Sequence, residues 1–157
     1  MRLRAIYDRV RLGFPIEITV VGSSGLGWFS PSIAHETLVR KVREVARGFA
    51  PFRFRFGTVN CFPGSNVYYL QPLEEVPFRK FQARIATSGL SFEPIPYDYA
   101  PHCTIAEVSE GRGPNVREEL MQCPVPDHEI PITSVSFYTV DRQAQRCYQH
   151  ERVALGV

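Results

Sequence analysis

The stretch Tyr99–Val108, YAPHCTIAEV, decides how this chain is read. Pro101 delivers the backbone into a short apolar run that carries His102 and, two residues later, Thr104. In a β-strand successive side chains alternate between faces, so His102 and Thr104 project together while Cys103 and Ile105 project the other way. An imidazole and a hydroxyl side by side on an otherwise apolar strand suit an anion or a transferred proton. Such chemistry needs a second half, which must come from elsewhere in the chain.

Working outward, "GRGP" (111–114) opens a short helix with Val116 and Leu120. "CPVPDHEIP" reads as a proline-rich connection, and "TSVSFYTV" with "RCYQHERVAL" as a hairpin turning at Asp141–Gln145. Upstream, Pro77 opens a linking helix over about 77–89, with Phe78, Phe81 and Ile85 inward and Gly89 at its end. "FRFRFGTVN" (52–60) alternates aromatic and cationic residues, which puts Arg53 and Arg55 on a solvated face. The turn "FPGS" joins it to "NVYYLQ" as a β-hairpin. Ser30–Pro31 resembles an N-cap and first helical residue, and that helix runs to about Gly48 with Leu38, Val42, Val45 and Phe49 buried. "GSSGLGWFSPS" is a loop. "IEITVV" (16–21) alternates as a strand, and Leu3, Ile6 and Val10 space an N-terminal helix over about 2–11.

The order strand, helix, strand, strand thus occurs twice, over residues 16–71 and 101–154. The expected fold is one α+β domain over 1–157 with two βαββ-like lobes, about 14–75 and about 100–157, related by a pseudo-twofold axis around a central cleft. Aligning the lobes sets Glu17-Ile18-Thr19 opposite His102-Cys103-Thr104.

Composition sets the class. With 157 residues, 44% apolar and 22% charged, the chain can bury one substantial core. A net charge of +2 without a basic run argues neither for nor against a nucleic-acid partner. The four cysteines, Cys61, Cys103, Cys123 and Cys147, lie far apart without a CxxC pair, which predicts free thiols in a reducing, cytoplasmic setting and no zinc site. The first residues are too charged for a signal peptide, and no apolar run reaches membrane-spanning length.

In "PHCTIA" and "FPIEITVVG" the sequence resembles the two-histidine (2H) phosphoesterases, which include bacterial 2'-5' RNA ligase-like proteins and cyclic phosphodiesterases. Their signature is two His-x-Thr/Ser-hydrophobic strands, one per lobe. "PHCTIA" matches the second in full. "FPIEITVVG" matches the surroundings of the first but carries Glu17 where the family has histidine. "FPGSNVYYLQP" and the terminal hairpin extend the likeness over most of the chain. A second HxT triplet, "HETL" from His35, sits in helical periodicity, where residues two apart share no face. Family members usually carry a strand before the segment resembling "LRAIYDRVRLGFP". A homodimer completing an exposed sheet edge is therefore one expectation.

The resemblance implies a phosphodiesterase without metal or cofactor, acting on a 2',3'-cyclic phosphate or a 2'-5'-linked nucleotide or RNA end. His102 and Glu17 would be its acid/base pair, and Thr19 and Thr104 would hold the phosphate. On this reading Glu17 deprotonates the attacking hydroxyl or water and protonated His102 serves the leaving group. A carboxylate about 5 Å from a phosphate costs roughly 3 kcal/mol at an effective dielectric of about 20, which His102⁺ would offset. The alternative is a degenerate relative that binds a nucleotide or RNA without turnover, Glu17 being a relic. Tyr97, Tyr99, Trp28 and Phe29, from loops near the expected cleft mouth, are candidates to stack on a base or to pack as ordinary aromatics. His35, His128 and His150 read as surface residues.

Overall fold

The computed structural model describes residues 2–8, 10–108, 115–141, 143–144 and 146–156. Helix α1 (Arg2–Tyr7) and a 3₁₀ turn (Val10–Gly13) lead to β1 (Trp28–Phe29), α2 (His35–Arg47), β2 (Phe52–Phe54), β3 (Phe56–Cys61) and β4 (Val67–Pro72). Then follow α3 (Val76–Ala86), β5 (Phe92–Glu93), β6 (Cys103–Glu107), α4 (Val116–Met121), β7 (Ile130–Ile132), β8 (Ser134–Asp141) and β9 (Arg146–Ala154). The "GRGP" start expected for α4 and two residues of the last hairpin turn lie outside the described residues.

The mixed helix and sheet content makes this an α+β fold, but its sheets do not follow the two halves of the sequence. Strand β6, which follows His102, pairs antiparallel with β4 of the first half, giving a three-stranded sheet β3–β4–β6. Leu120 of α4 packs on this sheet in a core with Val59, Tyr68, Leu70, Cys103, Ile105 and Ala106. The other core is reciprocal. Val42 and Ala46 of α2 and Phe81 and Ile85 of α3 cover Phe137 and Val153 of the hairpin β8–β9. Each hairpin is thus roofed by a helix of the opposite half, joined over β8–β9 by the linking helix α3. Phe54, Phe78 and Tyr99 form a third cluster, with Phe78 edge-on to Phe54 at 5.1 Å and to Phe52 at 5.0 Å.

Alternation in 52–60 is realised with a break. Arg55 separates β2, which pairs with β7, from β3, which pairs with β4. Strand β7 begins at the end of the stretch expected to be a connection, because Pro131 opposite Arg53 on this short pair is tolerated where a central strand would reject it. Arg53 and Arg55 do face solvent, near Glu129 and Glu74 respectively. The helix expected from Ser30 begins instead at His35. Ser30 folds its own turn, accepting from Ile33 N (3.1 Å) and bonding the Ser32 hydroxyl (2.8 Å), and Ile33 packs on the core. In α1 and just after it, Arg4 and Asp8 are 5% and 4% exposed whereas Ile6 is 49% exposed.

Residues 16–21 form no strand. Among the described residues none pairs with them in a ladder, and from Val20 onward the chain bends. Their alternation serves packing instead: Ile18 reaches the second and third clusters, while Val20 and Val21 reach the first. The segment therefore bridges cores rather than extending a sheet. It is turned back by a glycine loop closed by Gly22 N to Gly27 O (2.6 Å), with Gly25 at φ +88° and Gly27 at φ +85°. A Cβ on Gly25 would collide with the Val20 carbonyl, and one on Gly27 with the Glu93 carbonyl. Gly25→Ala is expected to lower the free energy of unfolding by more than about 1 kcal/mol, read from a denaturant midpoint.

Candidate functional site

His102 precedes β6 and is anchored from three sides. Its Nδ1–H donates to the Ala100 carbonyl (2.7 Å), which leaves the Nε2 lone pair free. The rings of Phe62 and Tyr69 meet it at 4.9 and 5.4 Å and stack on each other at 4.2 Å. Both belong to the hairpin whose second strand pairs with β6, and Thr104 stands opposite Tyr69 in that register. His102 and Thr104 are half-buried while Cys103 and Ile105 are buried, so the two polar side chains share the open face. Burial of the imidazole, and then the charge of Arg11, push its pKa down; the bond to Ala100 opposes both.

Glu17 approaches from the bridging segment, its backbone beside the Cys103 thiol. Its Oε1 accepts from the Thr19 hydroxyl at 3.5 Å. Withdrawal from water raises its pKa, against the lowering effects of Thr19 and of the Arg4 guanidinium. The two acid/base candidates are thus displaced in opposite directions, each toward its neutral form.

Glu17, Thr19, His102 and Thr104 line one cleft of about 790 Å³, which brings together all four residues expected to work together. Trp28 lines it too, on the short strand β1 rather than in a loop. The other aromatic candidates are elsewhere. Tyr97 is 72% exposed and Tyr99 is buried in the third cluster, its hydroxyl without a hydrogen bond among the described residues; neither lines the cleft. Phe29 packs on Phe92 at 5.5 Å. His35 is the first residue of α2 and lies near His150, with rings 5.8 Å apart; both line an adjoining, mainly apolar cavity of about 500 Å³ that shares Glu17, Thr19 and Trp28 with the cleft. Among the described residues no group of three or more His, Cys, Asp or Glu could hold a metal ion. The four cysteines are free, and no described helix is long and apolar enough to cross a membrane.

The sequence reading missed the wall formed by Arg4, Asp8 and Arg11. Asp8 accepts from Glu107 N (2.7 Å) and Arg11 N (3.1 Å), and Arg11 bonds both Asp8 and Glu107. The available signal was the spacing of opposite charges at i, i+4 and i+3. Helical periodicity gave no hint that these charges would be the buried ones.

The model of the 2'-5' RNA ligase superfamily matches residues 7–144 of the chain. Among solved structures, that of E. coli LigT complexed with 3'-AMP is similar, with a TM-score of 0.54 and 19% sequence identity over 98% of this chain and 87% of that one. At this identity the likeness speaks for the fold. No curated protein matches the chain. The family match spans most of the sequence and both segments that meet in the cleft, and the chain belongs to the 2'-5' RNA ligase superfamily of two-histidine phosphoesterases.

Proposed function

We propose that this protein is a phosphodiesterase that needs no metal ion and opens a 2',3'-cyclic phosphate, or cleaves a 2'-5'-linked nucleotide or RNA end, in the cleft between Glu17 and His102. The observation that carries the reading is the convergence of Glu17, Thr19, His102 and Thr104 on one cleft, with His102 fixed so that Nε2 is its free nitrogen. The structure of LigT with 3'-AMP, a nucleotide with a phosphate on its ribose, is consistent with that substrate class.

The division of labour differs from the simplest expectation. With Nδ1 donating to Ala100 and the imidazole disfavoured as a cation, His102 is suited to accept a proton at Nε2. With its pKa raised, Glu17 is suited to donate one. In cyclic phosphate hydrolysis, His102 takes a proton from water as its oxygen bonds phosphorus. The bond from phosphorus to one ribose oxygen breaks, and Glu17 delivers its proton to that oxygen. Thr19 and Thr104 hydroxyls donate to the non-bridging oxygens.

The competing reading, a nucleotide binder without turnover, draws on the Thr19–Glu17 hydrogen bond: the hydroxyl assigned to the phosphate is already engaged by a carboxylate. Hydrolysis of 2',3'-cyclic nucleotides with EDTA present separates the two. Turnover by wild type supports the enzyme, and an inert wild type with measurable 3'-AMP binding supports the binder.

The acid/base assignment has its own test. His102→Ala should lose roughly 10²–10⁴-fold in kcat on every substrate. Glu17→Gln should lose a similar factor on a cyclic nucleotide, whose ribose oxygen needs a proton, but far less on a 4-nitrophenyl phosphodiester, whose leaving group does not. Equal losses on both substrates would return Glu17 to the role of base.

The pH dependence follows from the shifts. Neutral His102 accumulates as pH rises through a pKa below its ordinary value of about 6.5, and protonated Glu17 is lost above a pKa higher than the ordinary carboxylate value. The kcat profile should therefore be a bell centred on the acid side of neutrality, its alkaline limb removed in Glu17→Gln.

A further inference from the structure

The cleft wall contains a cation whose place in the site exceeds its place in the fold. Arg4 Nη1 reaches the carbonyl oxygens of Phe14 (2.9 Å), Pro15 (3.0 Å) and Arg11 (3.3 Å), and Nη2 donates to the carbonyl of Thr104 (2.8 Å). Pro15 lies two residues before Glu17, and Thr104 two residues after His102. One guanidinium, 5% exposed, thus grips both segments that carry the site. No carboxylate among the described residues forms an ion pair with it.

The grip matters because, among the described residues, no ladder holds the Glu17 segment. Elsewhere in this fold the position of a strand is set by a series of backbone bonds. Here the register of residues 14–19 against β6 depends on a planar fork presenting several donors in fixed directions. We infer that Arg4 is the positioning residue of the site: it sets the separation of Glu17 from His102 and Thr104, and so the acid/base geometry across the cleft. The inference rests on the function proposed above for its kinetic readout, but not for its structural one.

Lysine retains the charge and loses the fork, so Arg4→Lys is the informative variant. It should lower kcat on a 2',3'-cyclic nucleotide by roughly 10- to 100-fold per folded molecule, because misplaced acid and base groups are costly. KM should move less than about threefold, because the cleft and its charge remain. Arg40→Lys, on the exposed face of α2, should change neither. If Arg4→Lys only lowers Tm and keeps wild-type kcat per folded molecule, Arg4 is merely structural and the inference falls.

A measurement on the unaltered protein covers the case in which the variant does not fold or wild type proves inert. In arginine-resolved ¹⁵N spectra, the Nη groups of Arg4 should give separate, slowly exchanging signals that shift together with His102 when 3'-AMP is added. Rotationally averaged Arg4 signals, or signals indifferent to 3'-AMP while His102 responds, would overturn the assignment. Inert wild type with separate, responsive Arg4 signals would remove the proposed catalysis and leave the positioning role standing.

Discussion

The antiparallel pairing of β4 with β6 is the constraint on which the rest of the molecule depends. It joins the two halves of the chain in one sheet and sets Thr104 opposite Tyr69. It also brings the Phe62–Tyr69 stack against the His102 ring. The ladder slips by one residue between Tyr68 and Tyr69, so that Ile105 and Ala106 are both buried and the polar face is confined to His102 and Thr104. With this pairing made, α4 has a sheet to cover, and α2 and α3 are left to cover β8–β9.

In the cleft that results, Glu17 and His102 are both displaced toward their neutral forms. Withdrawal from water is the first cause of the shift at both Glu17 and His102, and it acts oppositely on an acid and a base because only their charged forms are penalised. Under the resemblance, which sets a histidine at the position of Glu17, a carboxylate there is then less foreign than its formal charge suggests. On the proposed mechanism Glu17 acts in its protonated form, donating a proton as an imidazolium would.

Much of this was legible in the residues, and the failures share a cause. The helix opened by Pro77 buries Phe78, Phe81 and Ile85 as its spacing says, and the alternation in YAPHCTIAEV places His102 and Thr104 together. These are local periodicities, and local geometry suffices to read them. What escaped is non-local. IEITVV alternates like a strand but has no strand beside it among the described residues, so its pattern is spent on bridging three cores. Arg4 is buried against its hydropathy because four carbonyls from distant segments converge on it, and Tyr99 is buried because Phe54 and Phe78 leave a place for it. Pattern also cannot show that β6 would choose a hairpin from the other half of the chain. Both halves offered an equivalent edge.

That choice has a consequence for how the chain acquires its structure. Strand β6 meets a hairpin that left the sequence some thirty residues earlier, and β8–β9 must close over helices formed far earlier still. During synthesis the first half would emerge with Val59, Tyr68 and Leu70 uncovered and the apolar flanks of α2 and α3 without their hairpin. Glu17 and Thr19 belong to the first half of the chain and His102 and Thr104 to the second, so neither half carries the cleft by itself.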